Sequence, residues 1–257
     1  MQQQPQPTDH HRWRGVVIAA IVIALLAVAA FALRSFWLGQ GTEPIVTERP
    51  LDLPVVEPDV DSMADIEDLM RGKPLPPALP GMKLPPFDED DHIRGGPFAE
   101  FSIVEYSNYG NKLAALLHPD LLTVTNGGEI NWVARHFPLD DQHVLPAQAA
   151  ECAYFQGGDH AKFWAYHDVA FPFTNPNLES LVSLASSQGL DSVAFRTCLE
   201  NDFTRDHVLR DIQDGTLDAK VKVSPSYVIV NNLTGELRLV EGVNTIDYIL
   251  RVVDDIR

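Results

Sequence analysis

Apolar positions along the chain fall into three regimes. Residues 15–33, GVVIAAIVIALLAVAAFAL, carry no charged or strongly polar side chain. As a helix this stretch rises about 28 Å, close to the roughly 30 Å hydrocarbon layer of a bilayer. From Gly39 to Pro97 no apolar period is sustained. Beyond Gly96 regular patterns begin and alternate in type. FAEFSIVEYS reads as a strand, residues 111–125 as a helix, and EINWVARHFPL as a second strand ending near Pro138. Helical segments follow over 145–156, 159–170, 177–188, 191–200 and 203–217, with Gly189 and Asp191 as stop and start signals. PSYVIVNN and GELRLVEG then read as strands joined by the hairpin turn NNLTGE, and TIDYILRVVDDI as a closing helix.

The flanks give the apolar run a direction. Arg14 and Arg34 bracket it, Trp13 and Trp37 lie just outside, and the basic HHRWR precedes it, whereas no positive residue follows Arg34 until Arg49. Aromatic anchors and the positive-inside rule predict a signal-anchor helix over 15–37, with residues 1–14 in the cytoplasm and the rest exported. A cleaved signal peptide is the competing reading, because Ala30-Phe31-Ala32 looks like a cleavage site. The run is longer than the usual ~7–15 residues, which favours the anchor.

Residues 38–91 read as a linker. Gly39–Pro97 holds eleven prolines, and thirteen acidic residues fall between Glu43 and Asp91, so the segment is extended by proline and self-repulsion. DSMADIEDLMRG interrupts it: Ser62 and Asp65 have capping-box spacing, Met63, Ile66, Leu69 and Met70 make an apolar stripe, and Gly72 can end the turn. A docking helix and a transient one in a tether both fit, since isolated helices this short are marginal in water. KPLPPALPGMKLPP fits a polyproline ligand or a stiff spacer, and the spacer is favoured.

Composition narrows the chemistry. A formal charge of −17 over 257 residues argues against a nucleic-acid surface, which needs clustered Lys and Arg. The two cysteines, Cys152 and Cys198, lie in separate helical segments, and an even count in an exported domain favours a structural disulfide over free or redox-active thiols. Nine histidines invite a metal, with His160 and His167 near Asp168, but the spacing is no zinc signature. His167 reads as a packed or capping residue, and neither a metal nor a cofactor is expected.

A βαβ half and a ββα half separated by a helical block is the thioredoxin-fold order with a helical insertion over about 144–218. The segments VEYSNY…LLHPDL, ARHFPL, AAECAYFQGG, KFWAYHDVAF, GLDSVAFRTCLEN and VSPSYVIVN occur in an order and spacing that resemble the bacterial DsbA-like thiol oxidoreductases. The resemblance covers residues 92–257 and implies an α/β thioredoxin fold with a helical insertion. It also implies a C-x-x-C at the start of the first helix, and those cysteines fall on Asn111 and Ala114. An amide and a methyl group supply neither the attacking thiolate nor the resolving thiol. Asn111 can instead cap the helix. Pro225, preceded by Ser224, matches the family's cis-proline, whose neighbouring backbone pairs with extended peptides. Glu105 falls where the family often carries a buried acid.

The resulting expectation is a single-pass protein of the bacterial inner membrane whose periplasmic or extracytoplasmic domain is redox-inactive. It would hold an envelope or membrane protein partner, or an extended peptide, through the old substrate groove at Tyr109, Asn111, Ser224 and Pro225 or through a new surface. Two alternatives are an oxidoreductase using Cys152 and Cys198, and a glutathione-binding transferase or isomerase in which Ser107, Asn111 or Ser224 orients the thiol.

Overall fold

The computed structural model describes residues 63–171, 176–242 and 244–257. No helix among the described residues is long and apolar enough to cross a membrane, and the anchor expected over 15–37 lies outside them. The strands are β1 (His92–Arg94), β2 (Phe101–Ser107), β3 (Ile130–His136), β4 (Ser226–Asn231) and β5 (Leu237–Glu241). They form one sheet in the order β1-β3-β2-β4-β5. β2 and β3 run parallel and the other pairs antiparallel. Helices are α1 (Met63–Met70), α2 (Lys112–Val124), α3 (Val144–Phe155), α4 (His160–Ala170), α5 (Leu178–Ser187), α6 (Ser192–Glu200), α7 (Arg205–Leu217) and α8 (Ile246–Asp255).

Period-2 alternation divides the central strands between two cores. Phe101, Ile103, Trp132, Tyr227 and Ile229 face α2, α8 and the helical insertion α3–α7. Val104, Tyr106, Val133, Val228 and Val230 face the other way and pack with Ala219 and Val221. Within the insertion, Cys152 of α3 and Cys198 of α6 are joined in a disulfide with a Cα–Cα distance of 5.9 Å. α8 closes the first core with a stripe at helical spacing: Tyr248, Ile249, Val252 and Val253 are buried.

The second core is completed from outside the strand-helix pattern. Met82, Leu84 and Phe87, from the proline-rich segment, pack partly buried against it. The Lys83 amide donates to the Asp218 carbonyl at 3.0 Å. α1 also docks: Ile66 and Met70 cluster with Leu113 on the first turn of α2. An eight-residue helix is marginal alone, so this apolar contact supplies the stability its length cannot. Beyond α1, Lys73 Nζ donates to Asn244 Oδ1 at 3.0 Å, and the Tyr248 hydroxyl donates to the Pro74 carbonyl at 2.7 Å.

Candidate functional site

β2 ends at Ser107, and the chain turns through Gly110, whose φ of +82° suits glycine, into α2. Asn111 is the N-cap of α2. Its Oδ1 accepts from the amides of Leu113 at 2.9 Å and Ala114 at 3.3 Å. Its Nδ2 donates to the Ser224 carbonyl at 3.0 Å. One amide side chain thus satisfies two orphan donors of the helix and ties the helix start to the loop before β4. The Ser224–Pro225 bond is cis, as the resemblance implies. The Ser224 hydroxyl donates to Asn108 Oδ1 at 2.7 Å. The Tyr109 hydroxyl lies 2.8 Å from His167 Nδ1.

The residues expected to bind are therefore gathered, and they are also enclosed: Tyr109, Asn111, Ala114, Ser224 and Pro225 are all buried. Burial pushes the Tyr109 hydroxyl well above its ordinary value, so it is neutral. Glu105, opposite Tyr227 on β4, is buried and one carboxyl oxygen has no hydrogen-bond partner. Burial pushes it up to about 7, against weaker opposing pulls from Ser107 and Trp132. No sulfur belongs to this constellation. Cys152 and Cys198 are 0% and 2% exposed inside the insertion, which leaves a thiolate no approach to their bond.

The histidines sort differently from their sequence grouping. His167 meets Tyr109, Asp168 takes a bidentate bond from Arg94 at 2.8 and 2.9 Å and one from His118 at 3.1 Å, and His160 meets His92. A second cluster forms instead around Glu151 on α3. His136 Nε2 lies 2.7 Å from Glu151 Oε1, His92 Nε2 3.0 Å and His207 Nε2 3.7 Å. Burial pushes the Glu151 carboxyl up, but the facing imidazoles outweigh it and hold it well below the ordinary range. Burial pushes His92 down, whereas for His136 the bond to Glu151 overcomes burial and raises it. The pair we assign as charged is Glu151 with His136. These residues come from β1, β3, α3 and α7, and no local spacing joins them; the only trace in the chain is that His136 and Glu151 sit inside the segments ARHFPL and AAECAYFQGG.

A five-stranded mixed sheet, a helical block inserted between its halves, and a cis-proline beside the start of α2 define a DsbA-like thioredoxin fold, and that is the fold of this domain. Solved structures agree. DsbA2 of Pseudomonas aeruginosa matches with a TM-score of 0.54 at 22% identity, covering 65% of this chain and 94% of that one. BdbD of Bacillus subtilis, oxidised, matches with a TM-score of 0.58 at 16% identity, covering 68% and 97%. By sequence, the Na(+)/H(+) antiporter NhaA of Herminiimonas arsenicoxydans is 33% identical over 142 residues, which are 52% of this chain. The chain spans only 22% of that relative's length. No family model matches.

Proposed function

We propose that this chain is a membrane-anchored, redox-silent DsbA-fold module of the bacterial envelope, which holds a protein partner or an extended peptide and does not exchange disulfides. The observation that carries the reading is Asn111. Where the resemblance implies a thiolate at the helix N-terminus, an amide caps the helix and donates to the Ser224 carbonyl. Both polar ends of the side chain are engaged, and neither can attack a disulfide. The antiporter relative supports a partner at the membrane. A stretch similar to this chain makes up part of a transporter there, and we infer that this chain meets a membrane protein.

The alternatives have less behind them. An oxidoreductase based on Cys152 and Cys198 needs an accessible bond, and this one is buried on both sides. A glutathione enzyme needs a free, accessible hydroxyl or amide, but Ser224 and Asn111 are committed to internal bonds and Ser107 is buried. Proximity cross-linking in native membranes tests the binding role: a reproducible envelope neighbour is expected. Reproducible cross-links to cytosolic proteins alone would end both the anchor and the envelope reading.

A further inference from the structure

We propose that His92, Glu151 and His207 form a binding site for one divalent first-row transition ion, zinc(II) by donor chemistry. Their ligating atoms all lie within 4.8 Å of one another. Around a tetrahedral zinc with bonds of about 2.0–2.1 Å, neighbouring ligand atoms are about 3.3–3.5 Å apart. Here the two imidazole nitrogens lie 3.0 and 3.7 Å from the same Glu151 oxygen, on either side of that spacing. The third edge, between the two imidazole nitrogens, is no longer than 4.8 Å, and the two rings closing on an ion would complete one face of a tetrahedron. Two imidazoles and one carboxylate, with no thiolate, suit zinc and its neighbours rather than calcium or magnesium. The fourth position falls to water or to His136.

His207 separates a metal site from a plain hydrogen-bond network. Glu151 is already served by His136 and His92 at hydrogen-bond distance. His207 Nε2 is aimed between two carboxylates, 3.7 Å from Glu151 and 3.8 Å from Asp211, too far to bond to either. An ion between these groups would use that idle nitrogen. The surroundings orient the ligands as metal sites require. His92 stacks on Phe163 with ring centroids 3.4 Å apart, and its Nδ1 lies 2.9 Å from His160 Nδ1. With the shared proton on His92 Nδ1, the Nε2 lone pair is free for the ion. Arg210, 3.4 Å from His207 Nδ1, must swing aside when that nitrogen carries a proton, and it is exposed enough to do so. His207 is 19% exposed while His92 and Glu151 are almost wholly buried, so it marks the way in.

Such an ion would staple β1 at the sheet edge to α3 and α7 of the insertion. The test uses the full chain, stripped of metal by chelator dialysis. Zinc chloride is titrated calorimetrically, and cobalt(II) serves as an optical probe. One zinc per chain, a visible cobalt band and a raised melting temperature are expected. Loss of a direct ligand in His207→Ala should weaken zinc binding by more than about 100-fold, exceeding the effect of losing an outer partner. His207→Gln repeats the test with side-chain bulk kept, and circular dichroism checks both folds. His143→Ala, a surface histidine bonded to Asp140, should bind zinc as tightly as the parent. Failure of the parent to bind would overturn the proposal. So would binding that survives both His207 substitutions, since the ion would then sit elsewhere, for instance on His10 and His11.

Discussion

Glu105→Gln should abolish a pH dependence that runs opposite to that of most carboxylates. Glu105 is wholly buried on β2, and its carboxyl is raised from an ordinary 4.5 to about 7. The folded protein therefore holds this proton more tightly than the unfolded chain does. Stability from Glu105 is fully present below about pH 4.5 and is lost as pH rises through 7. At about 1.4 kcal/mol per decade of the proton equilibrium, ionising Glu105 in the fold costs about 3 kcal/mol. Glutamine keeps the shape of the neutral acid and cannot ionise. Urea unfolding of parent and variant from pH 4.5 to 8.5 should give free energies whose difference shifts in the variant's favour by about 3 kcal/mol across that range. Any constant offset, such as about 1 kcal/mol for an unpaired amide, leaves that trend unchanged. Other titrating groups cancel in the difference. Parallel stability curves would refute the reasoning, because Glu105 would then titrate alike in the folded and the unfolded chain.

Three further substitutions probe the frame by urea unfolding. Asn111→Ala removes the cap of α2 and leaves the Ser224 carbonyl unpaired, for a loss of about 2 kcal/mol; a change within experimental error would mean that neither the cap nor the bridge to Ser224 contributes. Asp91→Ala strips the buried Arg135 of the carboxylate that its Nε and Nη2 both reach, at 3.0 and 2.9 Å, and should cost about 3 kcal/mol. Gly215→Val should cost at least about 2 kcal/mol, since a Cβ there would meet Phe137 Cε2 and Tyr106 Cε1 at 2.9 Å, and a neutral result would show that these rings yield freely.

What the chain discloses about itself depends on the range of the interaction. The strands ending at Ser107, His136 and Asn231 alternate in burial face as their apolar periods predict, and the insertion helices start at Asp159, Asn177 and Asp191, each bonding a first-turn amide. These are local signals. β1 is three residues, too short for a period, and exists because His92, Ile93 and Arg94 pair with Ala134, Val133 and Trp132 of β3. The fit of Met82, Leu84 and Phe87 against the second core follows from the shape of a distant sheet face and leaves no pattern in a proline-rich stretch. Asn111 was legible as a cap, but its second bond spans 113 residues to Ser224 and is a property of the fold alone. The Glu151 cluster is of the same kind, with His92 59 residues away in the chain.

Electron transfer decides whether this domain is redox-silent, and insulin reduction by dithiothreitol measures it most directly. With the parent protein present, the rate should equal that of the uncatalysed reaction. A copy carrying Asn111→Cys and Ala114→Cys, which restores both thiols at the helix start, should raise the rate above it. Catalysis by the parent itself would contradict the account, because a chain whose two cysteines lie buried in one disulfide would then be exchanging thiols after all.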